Sequence, residues 1–128
     1  MRRIRRLLQN NRGQAMVEFA LVLPVLLLIF GGIIECGRLF NENLTVTAAA
    51  REGARAASVG DDGGATAKDY AADINRGSLT VTVDPTTLAS GPAVTVTVSN
   101  PVPITFPVIT AILGDSVTVT GTATMRVY

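Results

Sequence analysis

Residues 15–34 form a run of twenty positions with a single charge, Glu18. About 20 apolar residues at ~1.5 Å per residue are what a helix needs to cross a bilayer. The helical pattern does not stop there. Pro24 interrupts it, removing the hydrogen bond to the Ala20 carbonyl, so a kink is expected. Gly31-Gly32 is a second weak point, or a place of close helix contact. From Glu35 the character changes: Glu35, Arg38 and Glu42 fall on one helix face, where opposite charges can pair. Leu39, Phe40, Leu44, Val46 and Thr47 continue an apolar stripe, and the alanine-rich residues 48–57 favour helix despite Gly53. Gly60 is a natural stop. One helix over 14–58 is ~65 Å long, roughly twice a bilayer core, so half of it must project. The pattern predicts a transmembrane helix over 14–35 and a projecting continuation over 36–59.

Beyond it, Asp61-Asp62-Gly63-Gly64 reads as a turn, and Thr66 to Asp69 has the form of a capping box. A short helix is expected over 67–76, with Ala67, Tyr70, Ala71 and Ile74 on one side and Gly77 ending it. The period then becomes two, and strands are expected near 79–83, 94–99 and 117–127. Each alternates apolar or small residues, mostly valine, with mostly threonine or serine, as in an antiparallel sheet buried on one side. Between the last two strands lies an apolar segment, residues 100–114, with three prolines that forbid a central strand. Ile104 and Phe106 suit a short edge strand, and residues 108–113 a helical turn, forming either local core or an exposed apolar patch. The fold class expected is α+β: a long N-terminal helix, with a short helix and a small antiparallel sheet packed on its projecting half. Residues 60–128 are the extracytoplasmic domain.

Composition supports the membrane reading. Of 128 residues, 48% are hydrophobic and 16% charged, and the net charge of +1 hides an asymmetry. Residues 1–12 carry +5, from Arg2, Arg3, Arg5, Arg6 and Arg12, and the remainder carries −4. A basic segment beside an apolar span stays cytoplasmic, which sets the N-terminus inside and the C-terminal domain outside. A nucleic-acid arm is the competing reading of the arginines, but the adjoining span explains them better, so no nucleic-acid partner is expected. The run is long for the core of a removable secretory signal and no small-x-small site follows it, so the span is kept in the mature chain. Cys36 is the single cysteine, which excludes an intrachain disulfide. Its place in the helix pattern suits a small buried thiol.

Catalytic chemistry finds no footing. The sequence has no histidine, no serine or cysteine with a base nearby, and no glycine-rich phosphate loop after a strand. Asp61 and Asp62 without further ligands are a weak calcium signal. Neither enzyme activity nor a cofactor or metal is expected.

Gly13 followed by Glu18-Phe19, behind a basic leader, resembles a type IV pilin-like (class III) signal peptide. More closely, Arg-Gly-Gln-Ala-Met-Val-Glu-Phe-Ala-Leu-Val-Leu-Pro, then Glu35-Cys-Gly-Arg38, then Ala-Ala-Arg51-Glu-Gly-Ala-Arg55-Ala-Ala resemble the TadE-like family. These are minor pilins or pseudopilins of the tight-adherence (Tad/Flp) pilus. The resemblance implies that a prepilin peptidase removes residues 1–13 between Gly13 and Gln14. By the same resemblance Glu18 is the fifth residue of the mature chain and Phe19 its usual aromatic neighbour. Implied partners are the peptidase, other pilins or pseudopilins of the apparatus, its inner-membrane assembly platform and membrane lipid. The implied location is the bacterial plasma membrane, with incorporation in an extracellular pilus.

The residue types suit that chemistry. Glycine before the scissile bond lets the backbone enter a protease site in extended form. Glu18 is four residues from the new N-terminus, within reach of its own α-amino group or a neighbouring subunit's. A charge at the centre of a span costs ~2.5–3.5 kcal/mol on translocon scales, and pairing offsets it. Alternatively, Glu18 simply reaches to the membrane interface. Against a structural pilin subunit stands one other function: a permanently anchored bitopic protein whose β-domain is a binding module.

Overall fold

The computed structural model describes residues 11–75, 77–88 and 90–128. Most of the basic leader, including Arg2, Arg3, Arg5 and Arg6, therefore lies outside the described residues. One helix dominates, α1 (Asn11–Ser58), with Pro24 inside it. The chain divides into two units, Met1–Ile34 and Glu35–Tyr128. In the first, every residue from 13 to 30 is exposed. A helix apolar on all sides, with none of them covered, is the pattern of a membrane span rather than of a surface helix. It is long and apolar enough to cross a membrane.

The second unit is an α+β domain. After α1 come α2 (Gly63–Tyr70), a 3-10 turn (Ala72–Ile74), β1 (Thr80–Leu88), β2 (Gly91–Pro103), α3 (Pro107–Leu113) and β3 (Ser116–Arg126). The strands form an antiparallel sheet in the order β1-β2-β3. The alternation read from the sequence is the alternation found. Val94, Val96, Val98 and Val102 of β2 are buried, and the threonines turn outward. On that outer face hydroxyls bond across strands: Thr95 with Thr124 at 2.8 Å and Ser99 with Thr120 at 3.0 Å.

Residues 35–58 of α1 cover the other face. Val46, Ala49, Ala50 and Ala54 are fully buried against Val96, Val98, Val102 and Val119. The expected stripe therefore splits. Val46 turns to the sheet, whereas Phe40 and Leu44 are 72% and 69% exposed. Small side chains allow close approach. A methyl group at Gly121 would stand 2.6 Å from the Thr47 backbone nitrogen, so β3 lies directly on the helix backbone there. Gly53 and Gly63 play the same part where α2 crosses α1, the Gly53 carbonyl oxygen filling the space a Gly63 side chain would need.

Three local expectations are corrected. The short helix begins at Gly63, and its cap is Asp62, whose side chain accepts from the Ala65 N–H at 2.9 Å. Thr66 instead bonds back to the Asp62 carbonyl. The Asp62 cap explains the earlier start: its carboxylate satisfies an N–H of the first turn that the helix itself leaves free. The helix also ends early, at Tyr70, before the 3-10 turn. Second, the prolines do not bar a central strand. β2 is central and runs through Pro101 to Pro103. β1 starts at Thr80 opposite Ser99, so beyond Ser99 only β3 pairs with β2. The Val127 N–H donates to the Pro92 carbonyl, which turns even-numbered β2 residues towards β3. Pro101 and Pro103 face the vacant side, where no donor is needed. Third, the 100–114 segment divides: Val102 and Ile104 are buried, whereas Ile112 and Leu113 of α3 are 78% and 54% exposed.

Candidate functional site

At the start of α1, Gly13 is helical, and nothing lies within 4 Å of where its side chain would be. Entry into a protease site in extended form would require this first turn to unwind. Gln14 and Glu18 are one helical turn apart, and the Gln14 amide donates to Glu18 Oε1 at a long 3.4 Å. Both are exposed, and Phe19 is 61% exposed. Gln14 and Glu18 are thus brought together, with Phe19 on the chain beside them. Pro24 stands apart, further along the same helix.

Two polar joints tie the second unit together. Glu35, 3% exposed, receives Arg38 Nη1 at 2.9 Å. The same carboxylate accepts the Thr105 backbone N–H at 3.3 Å, and Arg38 reaches the Thr105 hydroxyl at 2.9 Å. A helical ion pair thereby holds the segment after β2. The second joint is at Glu42, also 3% exposed, whose Oε2 accepts from Asn100 Nδ2 at 2.9 Å. The expected pairing on this face is thus made by Glu35 and Arg38, and Glu42, buried one heptad on, also meets Asn100. Sequence reasoning missed Asn100, although it falls in phase with the valines of β2. A polar residue in a buried series calls for a polar partner.

Cys36 is exposed rather than buried. With Leu39, Phe40 and Asn43 of α1 and Val117 and Val119 of β3 it lines an open apolar groove of about 370 Å³. The phase explains the exposure: Cys36, Phe40 and Asn43 follow one another at helical spacing on a side of α1 that the edge of the sheet borders without covering.

No curated protein and no solved structure matches this chain. A family model does, over the stretch that holds Gly13, Glu18, Pro24, the Glu35–Arg38 pair and the alanine face that meets the sheet: residues 13–55 match the family described as TadE-like protein.

Proposed function

We propose that this chain is a structural, pilin-like subunit of a Tad/Flp-type pilus apparatus, a minor pilin or pseudopilin rather than an enzyme. The observation that carries the reading is the family match over residues 13–55. It coincides with a helix whose first unit is apolar and exposed on all sides, its one acid four residues from Gln14. Residues 14–35 anchor the chain in the plasma membrane, the basic end inside and the α+β domain outside. A prepilin peptidase cuts between Gly13 and Gln14, and Glu18 then meets an α-amino group, its own or a neighbouring subunit's. Other pilins and the assembly platform are the partners.

Intact-mass measurement of the chain from cells that contain the peptidase tests this. A mature protein beginning at Gln14 is expected, and Gly13→Leu should leave the chain larger by residues 1–13. A leader retained in peptidase-positive cells would overturn the processing step.

A further inference from the structure

We propose that the free edge of β3, with the apolar groove beside it, receives strand β1 of a second copy of this chain. Two backbone hydrogen bonds bracket the β2–β3 ladder: the Ile104 N–H to the Asp115 carbonyl at 2.9 Å and the Val127 N–H to the Pro92 carbonyl at 3.1 Å. Both join an even-numbered residue on the β2 side to an odd-numbered one on the β3 side. Alternation along a strand then gives the odd residues of β3, Val117 to Met125, to β2. Thr118, Thr120, Thr122 and Thr124 direct their backbone N–H and C=O groups outward. Among the described residues no hydrogen bond reaches those groups. The edge has neither proline nor charge from Val117 to Met125, the devices that keep sheet edges from pairing. Next to it lies the groove of Cys36, Leu39, Phe40, Asn43, Val117 and Val119, which neither β1 nor β2 lines. An added strand would cover both at once if it carried apolar side chains on the helix side and hydroxyls on the other.

β1 is such a strand. Val81 and Val83 face the helix side, and Thr80, Thr82 and Asp84 the outer face. The same alternation turns the backbone groups of Val81, Val83 and Pro85 outward. Geometry fixes the direction. In a parallel pair, an outward-bonding residue sits beside one whose groups point away, so Thr lies beside Thr and Val beside Val. An antiparallel β3–β1 pair would turn the neighbour over and set its valines on the hydroxyl face. Two β3 strands could pair antiparallel with faces matched, but α1 runs along β3 in the same direction. Thr47 lies at Gly121, and the Ser58 carbonyl accepts from the Tyr128 N–H. A two-fold axis would therefore send residues 35–58 of the two copies in opposite directions. The parallel choice rests on the reading of residues 14–35 as a membrane anchor. It makes a head-to-tail contact that can repeat. Pro85 offers no donor, so the pairing is short and depends on the anchors to hold copies close.

The test uses the full chain in membranes of expressing cells, with Cys36→Ser to remove the native thiol. Copies carrying Thr118→Cys, Thr120→Cys or Thr122→Cys are co-expressed with differently tagged copies carrying Thr80→Cys or Thr82→Cys, then treated with a short dithiol-reactive reagent. Cross-links from β3 to β1 should exceed those from β3 to β3 by about tenfold, and Thr120→Pro should lower them about tenfold through one lost hydrogen bond and a steric block. Thr120→Pro spares the β2 ladder, because that N–H points away from it. Should protease digestion show this variant unfolded, Thr120→Lys is read in its place, with the same loss expected. Predominant β3–β3 links, links only to another protein, or links indifferent to both substitutions overturn the proposal. A chain absent from the membrane fraction overturns the anchor as well; a membrane-held chain without β3–β1 links overturns the edge pairing alone.

Discussion

Asn100 is fully buried on the helix side of β2, its amide donating to Glu42 Oε2 at 2.9 Å and to the Ile74 carbonyl at 3.2 Å, while among the described residues its Oδ1 meets no donor. One side chain thereby connects α1, the 3-10 turn and the sheet. Asn100→Ala removes both bonds and should cost about 2–3 kcal/mol in urea unfolding. Asn100→Asp keeps the shape but sets a second carboxyl against Glu42. Two carboxyls in one buried site raise a pKa above its unfolded value. Stability tied to a raised pKa is present below the unfolded value and lost as pH rises. Asn100→Asp should therefore be closer to wild type at pH 4 than at pH 7, and equal deficits at both would refute the contact. Glu52 has the opposite sign. The hydrogen bond from Arg55 holds its carboxyl below the ordinary value of 4.5, and the same bond raises Arg55. The stability it adds is present above pH ~4.5 and lost as the pH falls through the lowered value. The pair is exposed, so Glu52→Gln should flatten the acid limb of the stability curve slightly and leave neutral-pH stability nearly unchanged.

Glycine in a helix or strand has no fixed meaning, and Gly121 and Gly37 separate the two meanings in one domain. At Gly121 an added methyl would meet helix backbone at 2.6 Å, where nothing can rotate away. Gly121→Ala should cost about 3 kcal/mol, the upper range for overpacking, read as a lower urea midpoint. At Gly37 nothing lies within 4 Å, so Gly37→Ala should add up to about 1 kcal/mol through helix propensity. A Gly121→Ala variant as stable as wild type would mean that β3 does not lie on the helix. The elements were legible in the sequence because their signals are local. The apolar run with its single charge, the valine–threonine alternation and the proline segment each depend only on neighbours in sequence. What escaped depends on distant residues. That Gly53 and Gly63 must both be glycine depends on α1 meeting α2, and the exposure of Cys36 and Phe40 on how far the sheet extends. The role of Asn100 depends on Glu42, 58 residues away. Proline in β2 was misread for a related reason: its tolerance depends on where β1 begins.

On the scale of the whole molecule, the chain joins a domain that buries its own core to a helix that buries none of residues 13–30. Such a helix must find its apolar surroundings in lipid, in other chains, or in both in turn. Glu18 is the one residue there that distinguishes these surroundings. In lipid it is a cost of up to ~3 kcal/mol, falling towards the end of the apolar stretch. Beside an α-amino group it becomes half of an ion pair in a low dielectric, where the attraction is strongest. Its present partner, the Gln14 amide at 3.4 Å, is a weak substitute at the very residue that would carry the new amine. Replacing Glu18 by Ala should therefore separate two steps. Membrane insertion should be undiminished, because the span loses its only charge. The proposed cut before Gln14 should be unaffected, because the bond itself is unchanged. Incorporation into sheared pilus fractions should fall sharply if, as proposed, this charge pairs copies along the helix axis. Quantifying the chain in membrane and pilus fractions by immunoblot reads both steps at once. Equal incorporation of Glu18→Ala and wild type would leave the carboxylate with no part in assembly.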